Sequence, residues 1–331
     1  MRRSRRGAAG RADGPRVVAL AGGVGAARFL AGLVEVFEPT RLTVIVNTAD
    51  DIERHGLLVS PDVDSVVYRL AGIADEERGW GLGDETWQAL AMLRKLGEPA
   101  WFQLGDRDLG THLWRTAERR RGRPLSAVTA DQCRALGIRA RILPMSDDPV
   151  TTRVRCAGLG DLHLQEYFVR ERCEPAIEDI RLVGVASARP APDVLDAIAA
   201  ADVLVVCPSN PIISIGPILA VPGIRAALAA VPDGVAVSPI IGGRAVKGPA
   251  AEMLRWAGFS VDAAGVASLY ADIVQAMVLD ETDLAVVPAV EALGLHAVPA
   301  PTLMDAPGSA ARLAAVVLAS AGVDSTAGAA A

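Results

Sequence analysis

Residues 17–47 constrain the fold of this chain more than any other stretch. Val17 to Ala21 is a short apolar run, Gly22-Gly23-Val24-Gly25 follows, and Ala26 to Phe37 has helical spacing. "RLTVIVN", residues 41–47, is then a second strand, apolar on both faces and therefore central in a parallel sheet. Strand, glycine turn, helix, strand is a βαβ unit, and its crossover is right-handed. The fold class that follows is α/β: a Rossmann-like, doubly wound, mostly parallel sheet. With 331 residues, 51% of them apolar and only 4% aromatic, the chain can bury a substantial aliphatic core.

Beyond this unit, Asp62 to about Asp131 is helical and more charged. "TTRVRC" (151–156) and "LHLQEYFV" (162–169) alternate with period two across "AGLGD" and predict an antiparallel hairpin. The α/β rhythm returns from Ile180. "DVLVVCPSNP" and "VAVSPIIGG" are strands running into polar loops, "HAVPAPTLMD" is a third, and a last helix spans Gly308 to Ala321. One α/β domain over 16–325 is expected, with core segments 16–73 and 174–325 and a helical and β-hairpin insertion over 74–173. Residues 326–331 read as a flexible C-terminus.

Residues 1–15 carry five Arg and one Asp, so a basic tail precedes a remainder more acidic than the overall net charge of −6. Its arginine pairs raise the question of a twin-arginine export signal, but Arg28 and Glu35 interrupt the apolar stretch that follows. A disordered tail is the expectation. No run reaches the roughly 18 uncharged apolar residues of a membrane span. The acidic balance, without a Lys-rich stripe, argues against nucleic acid as a partner. Four scattered cysteines form no CxxC pair and four scattered histidines no HExxH, so a cytoplasmic protein without a zinc site is expected.

The glycine turn admits two meanings. Gly23-Val24-Gly25-Ala26-Ala27-Arg28 has the first two glycines of G-x-G-x-x-G but an arginine at the third, where dinucleotide folds need close helix–strand packing. Asp50 or Asp51 ends the second strand, further from Gly23 than the usual interval of about 20 residues. No GK[ST] follows, which excludes a P-loop. A helix N-terminus with glycines still offers free amides and a positive dipole end to a phosphate. A tight turn that needs small residues only for packing is the alternative, and "GGVG" alone does not separate the two.

Polar residues at the other strand ends do separate them, because doubly wound sheets bind ligands there. Asn47, Thr48, Asp50 and Asp51 follow the second strand, and "SPDVDS" adds Asp62 and Asp64. Ser209, Asn210, Ser214 and Gly216 follow a third strand, and Ser238, Gly242 and Gly243 a fourth. Helix capping accounts for one of the "SPDVDS" acids, most naturally Asp64, or else for Ser65. Asp50 and Asp62 together suit Mg²⁺, which takes one or two carboxylates, waters and substrate phosphates. Asp51 and Glu53 read as solvated. "LGDRDLGTH" sets Arg107 between two acids in a glycine-flanked loop, where it forms a local salt bridge or clamps a phosphate or planar ring. A helix starts at Thr111 and His112, with His112 a packing residue.

Taken in order, "LAGGVGAARFL", "VNTADD", "SPDVDSVVYRL", "RGWGLGDETW", "LGDRDLGTHL", "ILPMSDDPV", "LHLQEYFVR", "PSNPIISIGPILAVPGIR", "SPIIGGRAVKGPA" and "LMD" resemble the 2-phospho-L-lactate transferase family of coenzyme F(420) biosynthesis. "RGWGLGDETW" is most similar to its actinobacterial branch. Ala26 departs from the glycine that many relatives carry. The resemblance implies transfer of a phospholactyl or phosphoenolpyruvyl group from a guanosine diphosphate conjugate to the terminal ribityl hydroxyl of the deazaflavin Fo, with release of GMP. It implies Gly22, Gly23 and Gly25 at the diphosphate and Asp50 and Asp62 on Mg²⁺ as catalytic groups. Asp64, Arg107 and Asn47 would meet Fo, with Asp64 receiving the attacking proton, and Ser209, Asn210, Ser214 and Gly216 would hold the guanosine half. A homodimer is the family expectation.

Two other functions are compatible with the glycine turn: a non-catalytic, nucleotide-sugar-binding regulator of the same superfamily, and an NAD-dependent dehydrogenase. "SPDVDS", "LGDRDLGTH" and the hairpin favour the transferase over the regulator. Arg28, with no catalytic His or Tyr-Lys pair in view, weighs against the dehydrogenase.

Overall fold

The computed structural model describes residues 14–325. Most of the expected basic tail, and all of the expected flexible C-terminus at 326–331, lie outside the described residues. Seven strands form the main sheet: β1 (Val17–Ala21), β2 (Leu42–Val46), β3 (Arg141–Pro144), β4 (Val203–Val206), β5 (Asp233–Val237), β6 (Ala276–Asp280) and β7 (His296–Ala300). Every pairing is parallel, and the spatial order is β3-β2-β1-β4-β5-β6-β7. The order reverses between β1 and β4, where a doubly wound sheet opens a crevice beyond its carboxyl ends. The register pairs Ala21 with Val46 and Leu20 with Val206, so the loops after β1, β2 and β4 emerge at one level.

Strand alternation divides the core into two layers. Val18 and Leu20 of β1, with Leu204 and Val206 of β4, face one set of helices. Val17, Ala19 and Ala21, with Val203 and Val205, face the other set, which includes α1 (Gly23–Val36), α2 (Pro61–Leu70) and the Ser309–Ser320 helix. Phe29, Leu30 and Leu33 of α1 are fully buried, each contributing about 1.5–3 kcal/mol. A side chain at Gly32 would collide with the backbone of Ala310, so glycine lets these two helices touch. Both edge strands contain proline, Pro144 in β3 and Pro299 in β7, which an edge tolerates and a central strand does not.

Several expectations are corrected. The sheet takes β3 from within residues 74–173, the stretch expected to be an insertion. The expected hairpin is the core of a three-stranded sheet, with Thr151–Cys156 between Gly160–His163 and Ile177–Val183. Its second strand stops at His163, and Glu166–Arg170 winds into a wide helical turn. Val154, Leu162, Leu164 and Tyr167 pack this sheet onto Ile213, in the loop after β4. The helix expected at Thr111 begins at Asp106 and runs to Arg120. Glu85, from the loop before the Gln88–Lys95 helix, extends it by accepting the backbone N–H groups of Arg107 at 2.8 Å and Asp108 at 2.7 Å.

Candidate active site

The glycine turn is the first turn of α1 itself, with Gly22 as its N-cap. Gly23 has φ of +73°, a left-handed conformation that favours glycine. Gly22 and Gly25 are needed for room. A Cβ on Gly22 would lie 2.5 Å from Asp62 Oδ2, and one on Gly25 would lie 2.6 Å from the Pro208 carbonyl. Glycines thus draw the start of α1 against both α2 and the loop after β4. The Gly22 amide donates to Ser209 Oγ at 3.3 Å, and Ser214 packs beside it.

Two carboxylates face this turn. Asp50 follows β2 and Asp62 lies in the first turn of α2; both are buried. Asn47 bridges them: its Nδ2 donates to Asp62 Oδ2 at 2.8 Å and to Asp50 Oδ1 at 3.3 Å. Gln165 Nε2 donates to the other Asp50 oxygen at 3.0 Å. Burial, and then the neighbouring charges of Asp62 and Asp51, hold Asp50 well above the usual carboxylate range. Burial raises Asp62 to about 6, against hydrogen bonds from Asn47 and the Gly23 amide. Asp51 is also pushed up by burial, to about 8; its Oδ2 accepts from Ser60 Oγ at 2.8 Å, and its Oδ1 is buried without a partner. Asp51 is therefore no freely solvated side chain. A cavity of about 280 Å³, lined in part by Thr48, Asp51, Ser60, Arg115 and Ser146, opens beside it.

Asp64 stands differently. Both its oxygens accept from Arg115 of the Asp106–Arg120 helix, Oδ2 at 3.0 Å from Nη1 and Oδ1 from Nη2. Arg115 is fully buried, with His112 Nδ1 3.2 Å from its Nη1. His112 also approaches Asp108 at 3.2 Å, and Asp108 accepts from Tyr68 Oη at 2.6 Å. Neither Asp62 nor Asp64 caps α2: the N-cap is Ser60, which makes no side-chain cap bond.

The other sequence-derived candidates divide. Asn47, expected at Fo, spends its amide on the two carboxylates. Asn210 Oδ1 accepts from the Ile212 and Ile213 amides at 2.9 and 3.3 Å, which caps the turn after β4. Gly216 lies one turn further, its Cβ position 3.0 Å from the Pro211 carbonyl. Arg107 is exposed, in the first turn of its helix and not in a loop, and donates to the Gly83 carbonyl at 2.6 Å. Gln165 and Arg115 were missed. Gln165 sits in a stretch that alternates like a strand. Arg115 had a legible signal: Asp108, His112 and Arg115 recur at helical spacing and so share one face.

The donors fit a hard cation. Asp50 and Asp62 are buried carboxylates without a cationic partner among the described residues, and Mg²⁺ needs no more than one or two carboxylates beside water and phosphate. No group of three or more His, Cys, Asp or Glu side chains is placed to hold a metal among the described residues. No helix there is long and apolar enough to cross a membrane.

Fold and site together define a Rossmann-like α/β protein whose switch point sets a glycine-rich helix terminus against two unpaired carboxylates. The model of the family described as 2-phospho-L-lactate transferase CofD matches residues 17–294, and this chain belongs to that family. It is 47% identical over 311 residues to a phosphoenolpyruvate transferase of Kitasatospora aureofaciens, covering 92% of this chain and 97% of the relative. It is 40% identical over 302 residues to a 2-phospho-L-lactate transferase of Methanosarcina mazei, covering 91% and 99%. A solved UPF0052-family protein of Bacillus halodurans superposes with a TM-score of 0.63 at 17% identity, over 92% of this chain and 99% of that one, and so shares the fold. The chain is an enzyme of the phosphoenolpyruvate/2-phospho-L-lactate transferase type, a family of coenzyme F(420) biosynthesis.

Proposed function

We propose that this enzyme moves a phosphoenolpyruvyl group, or its phospholactyl counterpart, from a guanosine diphosphate conjugate to the ribityl hydroxyl of Fo. The hydroxyl oxygen bonds to the distal phosphorus, the bond from that phosphorus to the GMP oxygen breaks, and the hydroxyl proton passes to solvent or a base. The observation that carries this is the meeting of Gly22–Gly25, Asp50 and Asp62 at the switch point, since phosphoryl transfer asks mainly for alignment and charge neutralisation. The name of the Kitasatospora relative favours the enolpyruvyl donor.

In this scheme the α1 amides meet the diphosphate, with Ser209 and Ser214 beside them and Asn210 and Gly216 shaping the guanosine side. Asp50 and Asp62 would hold Mg²⁺, which supplies positive charge to the phosphate oxygens. Asn47 and Gln165 orient those carboxylates. Asp64 and Arg107 stay at the Fo side, and the pairing of Asp64 with Arg115 suits a fixed orienting carboxylate better than a proton acceptor. The expected assembly is a homodimer, checked by sedimentation.

The test is a mass spectrum of products from enzyme, Fo, Mg²⁺ and each donor in turn. Equal yields of GMP and a phosphodiester of Fo are expected, fastest with the enolpyruvyl donor. Tight guanine-nucleotide binding with no GMP released would point to a binding protein instead.

A further inference from the structure

A cluster of positive charge lies beside the first turn of α1. The point that a Cβ on Gly79 would occupy is 3.3 Å from Lys247 Nζ, 3.6 Å from Arg28 Nη2 and 3.6 Å from Val24 Cγ1. Two cationic heads from distant parts of the chain therefore meet beside the first turn of α1. Arg69 of α2 adds a third field. Desolvation, and then Arg28 and Arg69, push the Lys247 ammonium below its usual range. Lys247 has no hydrogen-bond or ion-pair partner among the described residues. Arg28 donates only to the Met304 carbonyl, at 3.4 Å, and Arg69 pairs with the exposed Glu76.

Arg28 and Lys247 pair with no carboxylate among the described residues; like charges so placed repel one another, and an anion between them relieves that repulsion. The position is informative. Arg28 is four residues beyond Val24, about 6 Å along α1 from the amides that face the diphosphate. Arg69 is seven residues beyond Asp62, two turns along the same face of α2. In the donor proposed above, the helix terminus and the cation take the diphosphate. The remaining anionic group is the carboxylate of the three-carbon acid, a few bonds from the distal phosphorus. A guanidinium fork beside an ammonium matches a carboxylate.

We propose that Arg28 and Lys247, with Arg69 behind them, bind the carboxylate of the donor's three-carbon acid and so favour the intact conjugate over GDP. This rests on the transferase function proposed above. The test uses the full chain with Mg²⁺ and compares Arg28→Gln and Lys247→Met with wild type, and Lys247→Arg as the conservative change. Calorimetry measures affinity for the intact lactyl conjugate and for GDP, and turnover with Fo gives KM and kcat. Loss of a charged hydrogen bond predicts a donor Kd and KM weaker by about 10–100-fold in each neutral variant, with GDP affinity nearly unchanged and partial recovery in Lys247→Arg. An equal loss for GDP would assign the cluster to the diphosphate and overturn the proposal, as would an unchanged donor Kd. Failure of the transferase function shows separately, as a wild type that binds the conjugate and releases no GMP.

Discussion

Asp62 and Asp64 are two residues apart in α2, equally buried, and in opposite electrostatic situations. Asp64 meets a built-in cation, Arg115, in a network that also holds His112, Asp108 and Tyr68. Asp62 meets only neutral donors, Asn47 and the Gly23 amide, and shares Asn47 with a second unpaired carboxylate, Asp50. Burying a charge without a partner is costly, so a fold that does it twice around one amide leaves room for a partner from outside. The Asp64 network fixes α2 to the Asp106–Arg120 helix. The Asp50–Asp62 pair has no such cation and is held by neutral donors alone.

That contrast breaks most visibly in turnover. Asp50→Ala and Asp62→Ala should each lower kcat by about 10³-fold or more, the several kcal/mol expected when a metal's charge is lost, with the fold retained. Near-normal Mg²⁺-dependent rates in both variants would remove the metal assignment. Arg115→Met should act on stability: stranding Asp64 costs about 3–5 kcal/mol, read from denaturant melts, and adding Asp64→Leu should restore much of it. A melt unchanged by Arg115→Met would make the two acids alike after all.

Asn47→Ala removes neither carboxylate but releases both, so Mg²⁺ affinity should fall about 10–100-fold, while the stranded Ala49 amide costs about 1–3 kcal/mol of stability. The smallest effect is in pH. Burial raises Asp62 to about 6 and Asp51 to about 8, so the metal-free folded state holds protons that the unfolded chain has lost. Stability therefore declines as pH rises from about 4 to 8. Mg²⁺ should raise Tm by an amount on the order of 2–4 °C at pH 8 and by less at pH 5. A larger gain at pH 5 would contradict the buried, unpaired pair.

Much of this site was legible before the fold was known. Gly22, Gly23, Gly25, Asp50 and Asp62 stand at strand ends or helix starts that periodicity alone locates. Asn47 was visible as a strand-end amide, but its bridge between Asp50 and Asp62 was not, because such an amide does not announce which carboxylates will reach it. Gln165 was hidden in alternation that reads as strand, although the chain leaves the ladder at His163. β3 escaped notice as four residues ending in proline, a sequence that only an edge position makes acceptable as strand. The start of the Asp106–Arg120 helix depended on Glu85, a capping group from a distant loop.

By itself the sequence determined the parallel α/β architecture, the glycine-bearing helix terminus and the rim on which acidic residues gather. These follow from local periodicity and steric rules that act within a few residues. Tertiary structure decided which acids are paired and which are left open, and it brought Arg28, Arg69 and Lys247 to one place. Charge pairing depends on distances of a few ångströms between segments far apart in the chain, and no local pattern encodes them.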